Sequence, residues 1–456
     1  MYRRSDLQFI QEIFDRTTND IAIVYGIEDY ALGEIVADFI RDKECLYYKA
    51  SPVTDDYQRM MFAAELHEQT RTPVFPDYDY DKLLASYIDS HNDKKKVIVI
   101  YDFEYLIKEN PTFINFLSNM LFGQLVQGRV MFLLVSDDVK WIESDMIKLI
   151  GRKSSEISRV IKLKEFSFTE FCESFDDVSE ENLIKMYSVI GGRSLFYNMI
   201  TDDSDVVSVI KDLLKTWMKE DYQSCRFLPG DIREPVIYNT LLAHIASGTE
   251  KLNDLHKAMN MDRAKLSSYL KTLERGDIIE KLEGARVGDN KNIKKGTYRI
   301  KDKMILFYYR FVFARLSSLK ISKEDRFYKK FIEADLPEYI DEIYPQYCME
   351  HIKWLYKENR LNFKIETVEE YFDKTGAIDF VIVVKGGYLI ACGCNYSDPV
   401  MGYDRLCNIR EVIKHNRLPC DNIWLYSAGG FDTKLTQEAE RVENIKLLEL
   451  YEQTVR

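Results

Sequence analysis

The sequence predicts a multidomain α/β protein whose N-terminal part is a parallel β-sheet covered by helices. Apolar runs of strand length alternate with helix-spaced segments through the first third of the chain, and such runs are typical of strands buried on both faces of a parallel sheet. The run 21–25 leads through a glycine turn into an amphipathic helix. At 456 residues with 46% apolar content, the chain is long enough for about three or four domains with sizeable cores.

The stretch Ile21–Phe39 has the layout of a phosphate-binding loop. In such a loop, backbone N–H groups at the glycine turn and at the start of the next helix converge on an anion, while a lysine and a Ser or Thr complete the phosphate and magnesium contacts. Here the tripeptide Ala31–Gly33 stands where Gly-Lys-Ser/Thr is expected, and Glu28 and Asp29 carry negative charge where phosphates would approach. We therefore expect a nucleotide-binding fold whose loop has lost its catalytic side chains.

Two later apolar runs of strand length end in polar residues. In parallel α/β sheets, the residues that follow the strands carry the catalytic and ligand-binding side chains. An apolar strand followed by acids supplies the magnesium-binding Asp and the water-activating Glu. The run 97–101 is followed by Asp102 and Glu104, although Tyr101 occupies the first of these positions. The run 130–136 ends in Ser136, a candidate γ-phosphate sensor. No cofactor or metal is required by this set, and ATP with magnesium stays an alternative at a degenerate nucleotide site formed by Gly26, Leu32, Gly33 and Ser136.

These motifs resemble those of the archaeal and bacterial ATPases of the AAA+/STAND-like group that carry a C-terminal nuclease-like domain of unknown function. Their phosphate loop reads Tyr-Gly-Arg-Arg-x-x-Gly-Lys-Thr, which Tyr25-Gly26 begins and the tripeptide Ala31–Gly33 does not complete. Their second motif is Asp-Glu-Phe-Gln-Tyr-Leu, and Tyr101–Leu106 matches it in register, with Tyr101 replacing the Asp and Asp102 the Glu. The resemblance implies an AAA+ ATPase fold in which Asp102 and Glu104 are vestigial.

The resemblance continues into a helical lid. Leu163–Glu170 is similar to the family's Leu-x-Pro-Phe-Ser-Tyr-x-Glu, and Tyr187–Tyr197 to the start of its lid helix with Gly-Gly-x-Pro. The segment that follows is helical by its apolar spacing. The resemblance covers nearly the full chain, and its substitutions fall on the functional positions.

From about residue 233 the pattern predicts a winged helix, because three short helices precede a two-stranded ribbon. Between Asp262 and Lys301 the chain carries eleven Lys or Arg residues against six Asp or Glu, although the whole protein has a net charge of −12. A basic third helix and a basic wing are what phosphate contact and groove insertion need. The candidate DNA-binding residues are Arg263, Lys265, Ser268, Lys271, Lys291, Lys294 and Lys295. A winged helix used only for protein contacts is the alternative.

The last third resembles the PD-(D/E)xK nuclease fold, also called restriction-endonuclease-like. Its order is a helix with an acid, a strand with an Asp, and a strand with acid-x-Lys, and Glu350 and Asp379 match the first two positions. The segment Cys392–Cys394 replaces the third motif, so the acid and the lysine that hold magnesium and orient the water are missing. A structural role for Glu350 and Asp379 is therefore favoured over weak metal binding, and nuclease activity is not expected.

Composition limits the remaining classes of function. A net charge of −12 argues against nucleic acid coating the whole surface, but not against a local basic patch. The eight cysteines are scattered, which favours reduced buried thiols over a metal site. No run of about 18 apolar residues and no signal-peptide core occur, so we expect a cytoplasmic protein without a membrane span.

Together these observations predict four domains: a degenerate P-loop ATPase-like α/β domain at 1–165, a helical lid at 166–230, a winged helix at 231–302 and a nuclease-like domain at 303–456. The predicted function is that of a catalytically inactive AAA+-family protein that acts as a DNA-associated or assembly scaffold. An ATPase with a non-standard phosphate loop and a protein-interaction module without DNA binding are the alternatives. DNA, a protein partner or a second copy of the chain are the candidate partners.

Overall fold

The computed structural model describes residues 2–27, 31–71, 73, 80–89, 94–122, 126, 128–150, 156–175, 177–219, 228, 234–285, 287, 296–372 and 376–450. The chain divides into two compact units. The first comprises Met1–Glu165, Arg193–Asn198 and Arg275–Asp277, and the second Phe166–Gly192, Met199–Glu274 and Ile278–Arg456. The finer division into four domains stays a prediction.

The first unit alternates strands and helices along the sequence. Its elements are α1 (Arg4–Phe14), β1 (Asp20–Tyr25), α2 (Leu32–Ile40), β2 (Cys45–Lys49), α3 (Asp55–Thr70), α4 (Tyr80–Ile88), β3 (Lys96–Tyr101), α5 (Glu104–Glu109), α6 (Phe113–Phe122), β4 (Val130–Ser136), α7 (Val139–Trp141), a π-helical turn (Ile142–Met146), α8 (Ile147–Ile150) and β5 (Arg159–Lys162).

These strands form a five-stranded parallel sheet in the order β2-β3-β4-β1-β5. Every residue of β1, β3 and β4 is buried, because helices pack on both faces of the central strands. The prediction of a parallel α/β sheet is confirmed.

A buried ion pair aligns the amino ends of the central strands. Asp20 begins β1, and its carboxylate accepts a hydrogen bond from Lys95 Nζ at 3.0 Å and from Ser158 Oγ at 2.8 Å. Lys95 immediately precedes β3, and the same ammonium donates to the carbonyl oxygens of Ile13 and Arg16. Strands β1 and β3 are separated by β4, so this contact fixes the relative register of two strands that are not neighbours.

The second unit begins with helices and ends with a mixed sheet. Its elements are α9 (Phe168–Cys172), α10 (Glu180–Ile190), α11 (Val206–Met218), α12 (Pro235–Ala246), α13 (Leu252–Met259), α14 (Arg263–Arg275), β6 (Ile279–Leu282), β7 (Thr297–Ile300), α15 (Lys303–Phe307), a π-helical turn (Tyr308–Val312), a 3₁₀ turn (Phe313–Arg315), α16 (Leu316–Ile321), α17 (Glu324–Phe331), α18 (Leu336–Lys357), β8 (Ile365–Glu370), β9 (Phe380–Val384), β10 (Tyr388–Asn395), α19 (Tyr403–His415), β11 (Cys420–Ser427), α20 (Thr433–Arg441) and β12 (Ile445–Leu448). A further 3₁₀ turn, Ser194–Met199, lies between α10 and α11 in sequence.

Helices α12, α13 and α14 are followed by the antiparallel ribbon β6–β7, in which Ile279 pairs with Ile300 and Leu282 with Thr297. An isolated bridge joins Lys251 to Thr297 and adds a third short segment to the ribbon. Helix α14 buries one face, which consists of Leu266, Tyr269, Leu270 and Leu273.

The C-terminal sheet has the order β12-β11-β10-β9-β8. Strand β9 pairs antiparallel with β8 and with β10, whereas β11 pairs parallel with β10 and with β12. Helix α18 precedes the sheet, and α19 connects β10 to β11. Gly393 on β10 permits close packing of α19, because a Cβ atom there would lie 2.8 Å from Ile409 Cδ1. The separate C-terminal sheet domain is therefore present.

No helix in the described part of the chain is long and apolar enough to cross a bilayer.

Removing the Asp20 carboxylate should destabilise the first unit strongly. The Asp20→Ala change leaves the buried Lys95 ammonium without its counter-ion, and breaking a buried pair in this way costs about 3–5 kcal/mol. The control Glu68→Ala breaks an exposed pair with Arg71 and should cost less than about 1 kcal/mol. Hydrogen exchange of the β1 and β3 amides measures both effects within this unit. Equal protection in the two variants would contradict the anchoring role of Asp20.

Candidate functional site

The candidate site lies at the carboxyl edge of the parallel sheet in the first unit. Strand β4 runs between β1 and β3, so the residues that follow these three strands meet at one edge. The Gly26 N–H donates to the Ser136 carbonyl at 3.2 Å. Gly26, Asp102 and Ser136 therefore lie at the edge where parallel α/β sheets bind ligands, and their assignment to a nucleotide site stays a prediction.

Gly26 is required by packing at this edge. A Cβ atom on Gly26 would lie 2.9 Å from Leu163 Cβ and 3.0 Å from the Leu163 carbonyl oxygen. Leu163 is held there because its N–H donates to the Tyr25 carbonyl at 2.7 Å. The close approach of two backbones explains this glycine without a bound phosphate. The following residues 28–30, including the acids Glu28 and Asp29, lie outside the described residues.

Helix α2 begins with an apolar anchor at the position where a phosphate lysine is expected. Ala31 has a left-handed backbone with φ of 61°, and Leu32 is fully buried in the core together with Val24 and Ile35. The side chain of Leu32 therefore faces the core, and Gly33 offers no hydroxyl group. In the described part of this loop, no cationic side chain is available to neutralise a phosphate.

Three carboxylates converge at the ends of β3 and β4. Asp102, Glu104 and Asp137 each offer one oxygen, and these atoms lie within 4.8 Å of one another. Asp102 turns the chain out of β3 with a φ of 56°, a left-handed conformation that Asp tolerates better than most residues. Glu104 then starts α5, and Asp137 follows β4 directly.

The three carboxylates differ in exposure and partners. Glu104 is only 2% exposed, whereas Asp137 is exposed. Asp102 forms an ion pair with Lys49 Nζ at 3.3 Å. The pKa of Glu104 is raised to about 7, mainly by burial. The nearby charges of Asp102 and Asp137 also raise this pKa, whereas a hydrogen bond with the Ser136 hydroxyl lowers it. Among the described residues, Glu104 Oε2 has no hydrogen-bond partner.

Asp137 is absent from the site that the sequence predicts. In the sequence, Asp137 comes directly after the fully buried strand β4. That position points to the site only once β4 is known to run beside β3. Lys49 is not predicted either, because it ends β2, which pairs with the other side of β3.

Glu350 and Asp379, the two acids that the sequence assigns to a nuclease-like motif, have separate partners. Glu350 accepts a hydrogen bond from the Phe168 N–H at 2.8 Å. Asp379 accepts from the Cys394 N–H at 2.6 Å and from Arg405 Nη2 at 2.7 Å. In the described ranges, neither acid belongs to a group of three residues placed to hold a metal. Arg405 on α19 is a partner that the sequence does not reveal, since it lies 26 residues after Asp379.

Helix α14 presents the described part of the predicted DNA-binding set to solvent. Arg263, Lys265, Ser268 and Lys271 are exposed. Lys265 Nζ lies 5.7 Å from the Tyr269 ring centre, and Asp262 accepts hydrogen bonds from the first N–H groups of the helix. Lys291, Lys294 and Lys295 lie outside the described residues.

Asp379 should make the stability of the second unit depend on pH. Burial raises the pKa of Asp379 from 3.8 to about 6, with Arg405 and the Cys394 N–H acting in the opposite direction. Between about pH 4 and pH 6 the folded state keeps a proton that the unfolded state releases, so this contribution to stability falls as pH rises and is constant above that window. We expect the stability of wild type relative to Asp379→Asn to fall by about 2–3 kcal/mol from pH 4 to pH 7 in denaturant titrations. A difference that does not vary with pH would contradict this assignment.

Comparisons with known proteins found several similar chains. The model of the family DUF234, archaea bacterial proteins of unknown function, matches residues 308–406. An uncharacterised protein of Methanocaldococcus jannaschii is 24% identical over 388 residues, which is 83% of each chain. The Walker-type ATPase of Pyrococcus abyssi superposes with a TM-score of 0.50 at 12% identity, over 68% of this chain and 95% of its own. The Aeropyrum pernix ORC2 protein gives a TM-score of 0.44 at 11% identity, over 70% of this chain and 93% of its own. The Pyrococcus superposition and the strand order show that this chain shares the fold of that Walker-type ATPase, with a parallel five-stranded sheet and a separate C-terminal sheet domain.

Proposed function

We propose that this protein is a scaffold with an ATPase fold that does not hydrolyse ATP and that contacts duplex DNA through a winged helix formed by α12–α14 and β6–β7. The observation that carries the proposal is the two-faced character of α14. One face is apolar and buried, and the other carries Arg263, Lys265 and Lys271 in solvent. In the described part of the chain, Arg263 and Lys271 form no ion pair with an acid that would occupy their charges.

The exposed face of α14 has the shape and chemistry that a groove requires. The helix has thirteen residues and is therefore roughly 20 Å long. The small side chains of Ala264 and Ser268 lie on its exposed side, where they allow close approach to base edges. Arg263, Lys265 and Lys271 extend beside them toward phosphates. This division of labour between positioning contacts and base contacts is typical of recognition helices.

We infer the loss of ATP hydrolysis from two positions whose side chains differ from those expected in an active ATPase. Leu32 is buried where a lysine would reach the phosphates, and Tyr101 stands where an aspartate would bind magnesium. Tyr101 is 4% exposed and packs in the core on the same side of the sheet as Leu32. Both side chains contribute to folding, and neither supplies charge to a nucleotide. The nuclease-like domain has likewise exchanged its lysine for Cys394, so we assign it to contacts and not to cleavage.

Neutralising α14 should weaken DNA binding and reduce its dependence on salt. For Lys265→Gln/Lys271→Gln we expect weaker binding to duplex DNA at every sequence, with a slope of log K against log salt smaller by about 1 for each lost phosphate contact. Fluorescence anisotropy across a salt series measures both quantities. The matched control is Lys329→Gln/Lys330→Gln, which removes two exposed charges from α17 of the same unit and should bind like wild type.

Equal binding by the two double variants would remove α14 from the interface. Absence of DNA binding by the wild-type protein at low salt would instead favour the alternative of a module that contacts only proteins.

ATP should not stabilise the wild-type protein. Because Leu32 and Gly33 provide neither the ammonium nor the hydroxyl of a phosphate loop, we expect no rise in the melting temperature with ATP or ADP, with or without magnesium, and no release of phosphate. Differential scanning fluorimetry and a phosphate assay test the two statements. Saturable stabilisation by ATP would support the alternative of an ATP-binding protein with a non-standard loop. Hydrolysis that disappears in Asp102→Asn would overturn the inactive assignment.

A further inference from the structure

A cavity of about 510 Å³ lies within the second unit, and α14 contributes no residue to its lining. One wall is formed by the residues that follow β10 and β11. These two strands are parallel neighbours, so the cavity lies at the edge where parallel α/β sheets bind ligands. The remaining lining comes from α10, α17 and the first turns of α11 and α18. The volume falls within the range of small-molecule sites, about 300–1,000 Å³.

Hydrogen bonds hold the wall at the strand ends in place. Asn395 ends β10, and its Nδ2 donates to the Asp398 carbonyl at 3.1 Å and to Ser427 Oγ at 3.2 Å. Because Ser427 ends β11, this amide joins the two strand ends directly. Asp341 on α18 accepts a hydrogen bond from the Tyr396 N–H at 2.8 Å. The segment after β10 is therefore fixed to both β11 and α18 without a ligand.

The lining is largely apolar, but it includes a buried hydroxyl group without a protein partner. Leu336 and Ile340 lie one turn apart on α18 and are 6% and 1% exposed. Tyr328 is 6% exposed, and within the described ranges its hydroxyl group forms no hydrogen bond. Burial raises the pKa of Tyr328, and the nearby charge of Glu333 raises it further. Buried hydroxyl groups normally have a partner, so this one is available to a polar group inside the cavity.

Acidic side chains outnumber basic ones around the cavity. Its described lining carries the acids Glu181, Glu333 and Asp398 and one cation, Lys185. Lys185 pairs with Glu181, one turn away on α10, so these two charges balance each other. Among the residues that the structure describes, neither Glu333 nor Asp398 forms an ion pair. Two carboxylates without a counter-ion therefore line an otherwise largely apolar space.

We propose that this cavity binds a small organic cation, namely a primary amine carried on a hydrocarbon chain. The ammonium group donates to the Tyr328 hydroxyl and pairs with Glu333, while Asp398 adds to the attraction. The hydrocarbon chain packs on Leu336 and Ile340. Since the lining is acidic, an anion of the same size is repelled, and a neutral alcohol gains only the apolar contacts. The site is separate from the DNA contact proposed for α14, so either proposal can fail without the other.

Three probes of equal chain length separate charge from apolar burial. The full-length protein is titrated at pH 7 with n-hexylamine, 1-hexanol and hexanoate, and binding is measured by saturation-transfer difference NMR. The amine is protonated at this pH, because an alkylammonium such as that of lysine has a pKa of about 10.4. We expect saturable binding of hexylamine in the millimolar range or below, several-fold weaker binding of hexanol and weaker binding still of hexanoate. No saturable binding of hexylamine, or equal binding of hexylamine and hexanol, would overturn the proposal.

Substitutions then test which side chains recognise the amine. Glu333→Gln and Asp398→Asn should each weaken hexylamine binding by about two- to fivefold and leave hexanol binding unchanged. The matched control is Glu338→Gln, which removes an exposed acid of α18 that is not in the lining and should bind like wild type. Lys185→Met leaves Glu181 without its counter-ion and should tighten hexylamine binding several-fold, which a misfolded variant cannot do.

The proposal is also overturned if the double variant Glu333→Gln/Asp398→Asn, folded by circular dichroism, binds hexylamine as tightly as Glu338→Gln does. Hexylamine affinity that is unchanged in Lys185→Met would overturn it as well, because the charge of the lining would then have no effect on the ligand.

Discussion

The buried pair between Asp20 and Lys95 is the constraint on which the geometry of the first unit depends. Asp20 lies opposite Met131 on β4, and Lys96, the residue after Lys95, lies opposite Val130. The pair therefore fixes β1 and β3 against the same end of β4. Since side chains alternate between the two faces of a strand, a slip by one residue would move every side chain to the other face. With the amino ends fixed, the carboxyl ends necessarily deliver Gly26, Asp102 and Ser136 to one edge.

At that edge, the role of a residue in packing can be distinguished from a role in nucleotide chemistry. Leu32 contributes its whole side chain to the core, and burial of a leucine stabilises a fold by about 1.5–3 kcal/mol. A lysine at this position would have to leave the core to reach a phosphate. Packing likewise explains Gly26, because a side chain at this position would clash with Leu163. The identities of Gly26 and Leu32 are thus explained by packing, which is compatible with the proposed absence of ATP hydrolysis.

Sequence reasoning succeeded where a local pattern determines the structure. Buried apolar strands and amphipathic helices predict the parallel sheet, which the structure contains. The assignment of Asp102 and Glu104 to a site stays a prediction. It missed Asp137 and Lys49, because their relation to Asp102 arises from strand neighbours that are distant in sequence. It also could not find the partner of Glu350, which accepts a hydrogen bond from a backbone N–H 182 residues away, because every residue type except proline carries that group. The wing lysines remain a prediction, since they lie outside the described residues.

Two buried acids differ in the groups that surround them. Burial raises the pKa of both Asp379 and Glu104, so each carboxylate is costly to ionise in isolation. Asp379 has a guanidinium and a backbone N–H directed at the same oxygen, and these two donors compensate its charge. Glu104 has a hydroxyl partner and two further carboxylates as neighbours. The two acids therefore differ in their neighbours: a guanidinium lies beside Asp379, whereas two carboxylates lie beside Glu104.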